Sequence, residues 1–490
     1  MERCDVLVIG AGLLGCFTAR ALGAWRLRTV VLEAREDVCT GVSRANTGIV
    51  YTGYDTKPGT LKTQMCLRAN REFGALCRTL GVRFVRCGSL MLARGPRGEG
   101  VLRDKLVQGR RNGVPGLELL TPGEVYALEP ALGPGVTLGL LAPGTGAVNP
   151  WELGLAAFEN ARDNGAEFRF QRELRALRRE AGGFRAETDT ESWFARAVVN
   201  CAGLAADRVR ELCETPLYRI IPTAADYMLL DDSVAGMFSR VLFHEPEEKG
   251  KGLTLVPTVD GNLLAGPTEL PAEGRAPWAT SAGGLERLAA LCREVVPALP
   301  LGETIRGFAS LRPNPFAVER KNGDWVPVRR SISGFTVLEE QGLVSLLGIK
   351  TPGLTCAAEL GGLAAARAVH WLGGAESNPE NNPRRPAPVR LHGMEESCRG
   401  ALVRENPAYG QIVCRCRDVS LGEVQDAICR GAATLDGVKR RTGTATGRCQ
   451  GARCLRRVLA ALKAAGGVPG AEIQKDGPGS PVLGGGDESL

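Results

Sequence analysis

Four cysteines towards the C-terminal end carry the sharpest chemistry in the chain. Cys414-Arg415-Cys416 is followed, after 32 residues, by Cys449 and Cys454. Two close pairs of thiolates suit a tetrahedral sulfur site at each iron of a [2Fe–2S] cluster, or a single zinc ion, and spacing alone permits both. Six of the sixteen cysteines lie between Cys398 and Cys454, which marks this stretch as a metal domain. In a chain of 490 residues such cysteines read as buried thiols or metal ligands, not as the disulfide framework of a small secreted fold. Cys398 and Cys429 stand outside the pairs and each reads as a small buried or partly exposed thiol. Lys439, Arg440 and Arg441 read as a solvated or docking face.

A second constellation opens the chain. Cys4 to Ile9 is a short apolar run that enters Gly10-Ala11-Gly12-Leu13-Leu14-Gly15, a helical segment follows, and a second strand, Thr29 to Leu32, ends in Glu33. Strand, G-x-G-x-x-G turn, helix and terminal acid together form the dinucleotide-binding unit. Gly10 allows the turn, Gly12 admits the pyrophosphate, Gly15 lets helix and strand pack closely, and Glu33 accepts from a ribose hydroxyl. A late segment, Gly348 to Thr355 with Gly353 and Leu354, follows another strand more than 300 residues on. A flavin needs that distant cover where a nicotinamide does not, so FAD is the expected cofactor.

These groups need elements to hold them. The chain has room for two or three domains. The apolar periods predict an α/β fold: a discontinuous Rossmann-like FAD-binding domain (1–90, 145–215 and 336–373) with an inserted, mostly antiparallel substrate domain (91–144 and 216–335). Residues 374–410 are Pro-rich and lack a hydrophobic period, a linker composition, and a small α-rich domain follows at 411–466. The Gly- and Pro-rich tail, 467–490, is expected to be disordered. The formal net charge of +7 is spread without dense basic blocks, which argues against nucleic acid and for a small anionic substrate. Without a long apolar run or a leader pattern, the expected location is cytoplasmic.

The segment Ser43 to Lys62 resembles the one that follows the FAD fingerprint in the glycerol-3-phosphate dehydrogenase and L-2-hydroxyglutarate dehydrogenase branch of the D-amino-acid-oxidase-like flavoproteins. Val199-Asn200-Cys201-Ala202-Gly203 with Asp207, Pro257 to Thr268, and Phe308 to Arg312 extend the resemblance over about the first 370 residues. It implies that Arg44, Ala45, Asn46, Thr47 and Gly48, with Ala202 and Gly203, line the flavin, and that Arg312 binds a substrate anion. Val419 to Ile428 and Leu435 to Thr442 resemble the bacterioferritin-associated-ferredoxin-like domain, which implies that Cys414, Cys416, Cys449 and Cys454 hold a [2Fe–2S] cluster.

The sequence departs from that pattern twice. Tyr51 stands where the family has His, and Lys350 where it has Glu. Tyr51 is a poor base at its ordinary pKa, so hydrogen bonding to substrate or flavin is its expected role, with Lys350 adding positive charge. The resemblance implies a dehydrogenase acting on a small anionic hydroxy substrate, glycerol 3-phosphate first and 2-hydroxy or imino acids behind it. A one-electron cluster fused to a two-electron flavin implies a partner oxidoreductase subunit or electron carrier, compatible with peripheral membrane association through that partner. An oxygen-reducing oxidase and a non-catalytic relay subunit are the rival readings.

Overall fold

The computed structural model describes residues 1–244, 252–275, 279–466 and 472–483. Its first sheet is built around Glu2–Ile9, whose apolar half, Val6 to Ile9, is buried as a strand covered on both faces must be. Thr29–Leu32 pairs on one side and Ser192–Asn200 on the other, both parallel. Glu167–Arg169 and Leu343–Leu347 extend the parallel set, and antiparallel strands at the flank bring the sheet to eight. In register, Ile9 faces both Leu32 and Asn200. The chain therefore leaves three strands on one edge, at Gly10, Glu33 and Cys201.

Helices Leu13–Leu22, Pro150–Asp163 and Ala357–Trp371 share one core with this sheet. Small residues allow the close crossing: a Cβ at Gly361 would lie 2.6 Å from the backbone carbon of Phe17. The second sheet has ten strands and holds Thr304–Lys321 against Tyr218–Leu230 along most of their length. Its pairings are antiparallel, as the sequence pattern leads one to expect, except that of Val241–His244 with Ser89–Ala93. Arg312 faces Thr223 in this ladder, far in sequence from the glycine turn.

The C-terminal domain is a short hairpin, Ile412–Cys414 with Val419–Ser420, and helices Leu421–Cys429, Leu435–Thr442 and Leu455–Gly466. A capping box between Ser420 and Glu423 starts the first helix. Val424, Val438 and Val458 are fully buried at its centre.

The stretch read as a linker is laid against the first domain. Trp25 bridges to Ser377, and Arg385 donates to Glu159 Oε2 at 2.7 Å with both side chains buried. Arg430 of the C-terminal domain donates to the same oxygen at 2.8 Å, and Glu396–Glu405 is a helix. The tail expected to be disordered is ordered over 472–483: Ile473 joins the C-terminal core and Asp476 is ion-paired. The remainder of that stretch, 467–471 and 484–490, lies outside the described residues. Among the described residues no helix is long and apolar enough to cross a membrane.

Two arginines and one buried carboxylate make Glu159 costly to lose. Glu159→Ala is expected to lower stability by roughly 3–5 kcal/mol, because Arg385 is left buried without its partner. Chemical denaturation should show a lower midpoint with an unchanged slope.

Candidate active site

The glycine turn is built by backbone crowding. Gly10 has φ +96°, and a Cβ there would lie 2.8 Å from the Cys201 carbonyl oxygen. At Gly15 it would meet the Gly10 carbonyl oxygen at 1.8 Å, so helix and strand can approach this closely only without a side chain. Gly12 starts the helix with no side-chain cap, and the helix N-terminus faces a cavity of about 780 Å³. Such an end attracts phosphate. Glu33 Oε2 accepts from the Ala11 amide at 2.6 Å and Oε1 from that of Arg35 at 2.9 Å, and burial raises its pKa. Bare glycines, an open helix end and an acid at the end of the second strand fit a dinucleotide.

The cavity runs from this turn to the second sheet. Gly10, Gly12, Glu33, Ala45, Asn46, Thr47, Tyr51, Ala202, Gly203, Arg312, Lys350, Gly353 and Leu354 stand in its wall. Gly15, Gly48, Gly348 and Thr355 lie behind it. Thr355 accepts from the Tyr51 amide at 3.0 Å, while Gly48 and Gly348 take left-handed turns against Val148 and Pro315. Arg44 departs from expectation. Its guanidinium turns away from the dinucleotide cavity to Asp476 at 2.9 Å, drawn by a carboxylate from the C-terminal tail.

At the far end Arg312 is largely buried and poorly paired. Among the described residues its nearest carboxylate, Glu269, is 3.9 Å away, and Nη1 has no hydrogen-bond partner. Lys350 donates to Asn314 Oδ1 at 2.9 Å, and Asn314 in turn donates to Thr223 at 3.1 Å. Burial lowers the pKa of Lys350, and neighbouring Lys62 and Arg312 lower it further. Tyr51 is stacked on Phe243 with centroids 6.2 Å apart. Burial, followed by the charge of Asp55, pushes its hydroxyl well above the ordinary tyrosine range, so it is a hydrogen-bond donor at neutral pH and no base. Sequence motifs missed Tyr227, which stacks on Phe308 at 4.8 Å close to the charge of Arg312, and His244 in the cavity wall. Long-range pairing in the second sheet brings them to this end, antiparallel with Phe308 for Tyr227 and parallel with Leu92 for His244.

The four predicted cysteines are gathered in the C-terminal domain, and their contacts run between the two sequence pairs. Cys416 and Cys449 sulfurs are 3.7 Å apart, and Cys414 shares a hydrogen bond with Cys454. That bond, with the amides of Arg417, Ala445 and Cys416, lowers the Cys414 pKa to about 6 despite burial. A thiolate held by amides is what a metal–sulfur centre requires. Among the described residues, no three His, Cys, Asp or Glu are grouped to hold one ion. The two-by-two arrangement fits a two-metal cluster better than a single zinc. A second cavity, about 760 Å³, lies at the seam; it shares Ala45, Asn46 and Thr47 with the first and reaches Arg417 and Gln450 beside the cysteine loops.

Comparison with known proteins agrees with both centres. Residues 5–367 match the FAD dependent oxidoreductase family, and residues 412–464 the BFD-like [2Fe-2S] binding domain. The chain belongs to the FAD-dependent oxidoreductases; it is an enzyme with FAD and a [2Fe–2S] cluster as cofactors. It is 34% identical, over 98% of each chain, to a glycerol 3-phosphate dehydrogenase of Caloramator mitchellensis. It is 28% identical to human L-2-hydroxyglutarate dehydrogenase, over 57% of this chain and 64% of that one. An FAD-bound L-alpha-glycerophosphate oxidase of Mycoplasma pneumoniae shares the fold, with a TM-score of 0.71 at 23% identity over 79% of this chain and 100% of that one.

Cys414→Ser is expected to retain FAD and lose iron. Iron and acid-labile sulfide assays on the purified variant check this; parental iron content would refute the role of Cys414 as a ligand.

Proposed function

We propose that the chain is a dehydrogenase that oxidises the secondary alcohol of glycerol 3-phosphate to dihydroxyacetone phosphate and passes the electrons through its cluster to a partner subunit or carrier. The observation that carries this reading is the pair of cations, Arg312 and Lys350, at the far end of the dinucleotide cavity. Among the described residues Arg312 has a buried donor with no partner and a carboxylate no nearer than 3.9 Å. A planar guanidinium grips phosphate or carboxylate through two parallel bonds, and a second cation beside it favours a dianion. The full-length similarity to a glycerol 3-phosphate dehydrogenase supports the same choice.

Bound FAD supplies the acceptor for the hydride, with its two electrons, that leaves the alcohol carbon. Gly10, Gly12 and Glu33 would hold its pyrophosphate and ribose, and the 45–47 loop its ring. Arg312 and Lys350 fix the substrate anion and thereby orient the alcohol carbon. Tyr51, protonated in its buried place, donates to the substrate oxygen or the flavin. The hydroxyl proton passes to a group in the cavity wall; Asp55 and His244 stand there, and Tyr51 is excluded.

Under anaerobic conditions, glycerol 3-phosphate is expected to bleach the flavin absorption. L-2-hydroxyglutarate tested in parallel replaces it as substrate if it alone bleaches, and flavin untouched by either supports the relay reading. Arg312→Ala should raise KM on the order of 100-fold, the loss of a buried charged pair.

Lys350 gives a pH signature. A lysine with a lowered pKa sheds its proton at lower pH than a free lysine, so KM is expected to rise with pH earlier than ordinary lysine ionisation would dictate. Lys350→Met should have a higher KM at neutral pH and lack that limb; an unchanged pH profile would remove Lys350 from anion binding.

A further inference from the structure

Residues 40–43, the middle of the segment 37–44, form the floor of the dinucleotide cavity. Thr40, Gly41, Val42 and Ser43 stand in its wall, Cys39 donates its amide to the Ala11 carbonyl at 2.9 Å, and the Ser43 hydroxyl accepts from the Leu13 amide at 3.1 Å. This floor is therefore stitched to the glycine turn and to the helix N-terminus above it.

Both ends of that segment are gripped by the C-terminal part of the chain. At one end Asp37 accepts from Arg441 at 2.7 and 3.0 Å and from Arg440 at 3.0 Å, with all three side chains almost fully buried. At the other, Arg44 donates to Asp476 at 2.9 Å, and Asp476 takes the second Nη of Arg440 at 2.9 Å. Burial alone would raise the Asp37 pKa, yet the two arginines hold it below the ordinary range, so the carboxylate is charged at neutral pH. Arg440 and Arg441 end the helix Leu435–Thr442, from which the chain runs through Gly443 and Gly447, packed on Cys416, to Cys449. One short segment thus holds the dinucleotide floor and leads into the cysteine loop.

None of Asp37, Arg440, Arg441 and Asp476 stands in the wall of the dinucleotide cavity. A buried ion network repays its desolvation poorly as a source of stability and serves better to select one arrangement of its partners. We propose that Asp37, with Arg440, Arg441 and Asp476, couples FAD loading to the seating of the iron–sulfur domain. The seated domain holds the floor in the shape the dinucleotide needs, and the dinucleotide, by fixing the floor, holds the docking face. The coupling is reciprocal because each event stabilises the same arrangement of residues 37–44. Asp37 is a positioning residue: it acts on FAD through the floor. The inference rests on the two cofactors and not on the identity of the substrate.

The test uses the full chain with its cluster, stripped of FAD and titrated with FAD, following flavin fluorescence. Asp37→Asn is expected to weaken FAD binding at least tenfold with parental iron content. Asp476→Asn, some 440 residues from that position in sequence, should weaken it about threefold. Arg430→Gln serves as control, since it removes a different contact between the same domains, that with Glu159; its FAD affinity should stay within twofold of the parent. Hydrogen exchange supplies the reciprocal measurement: adding FAD to the parent protein should slow exchange in the 435–442 amides, and in Asp476→Asn should slow it less. Parental FAD affinity in Asp37→Asn or Asp476→Asn overturns the coupling. So does equal weakening in the Arg430→Gln control, or exchange in 435–442 indifferent to FAD. Should Asp37→Asn fail to fold, Asp476→Asn and the exchange measurement decide alone.

Discussion

The turn at Gly10 and Gly15 has no space for a Cβ, and the rest of the site follows from that contact. The first helix rises directly against the strand it leaves, so its N-terminus opens at the sheet edge and not above a layer of side chains. The parallel register then delivers Glu33 and Cys201 to the same edge. Everything that faces the dinucleotide is placed relative to one backbone crossing, including the floor segment tied to Ala11 and Leu13.

Charge is distributed over this frame with opposite purposes. At the far end of the cavity, cations stand with few counter-charges: among the described residues Arg312 has a carboxylate no nearer than 3.9 Å, and Lys350 a neutral amide. At the domain seam, cations are matched closely: Arg440 and Arg441 share Asp37, Arg440 and Arg44 share Asp476, and Arg385 and Arg430 share Glu159. Unmatched cations invite an anion from solution, whereas matched ones secure protein to protein. The hydroxyl of Tyr51, kept protonated by burial, adds a neutral donor beside the unmatched pair.

Local chemistry made much of this readable in the sequence. The strand, glycine turn and helix announce themselves through period and spacing, and the cysteine pairs through soft ligands in close register. What was unreadable depends on partners far along the chain. Arg44 belongs to a recognisable flavin segment, but its side chain follows Asp476, 432 residues away. Tyr227 and His244 enter the site through long-range strand pairing that no local motif encodes, antiparallel for Tyr227 and parallel for His244. The thiols of Cys414 and Cys416, one residue apart in sequence, turn to different partners because Cys414 ends the first strand of the hairpin and Cys416 stands in its turn. Residues 374–410 have a linker's composition, yet Arg385 is fastened by the buried Glu159 and by the carbonyls of Thr79 and Leu80.

Anchoring Arg385 also shortens the leash on the C-terminal domain. With the chain fixed there, only residues 386–411 connect the first domain to the cysteine-bearing one, and part of that span is the helix Glu396–Glu405. A flexible chain of that length has a root-mean-square reach of about 30 Å. A domain tethered so closely stays at an effective concentration in the millimolar range even when its docking contacts open. Dilution therefore cannot part the two redox centres, and a partner that must approach the cluster competes with an intramolecular neighbour that never diffuses away.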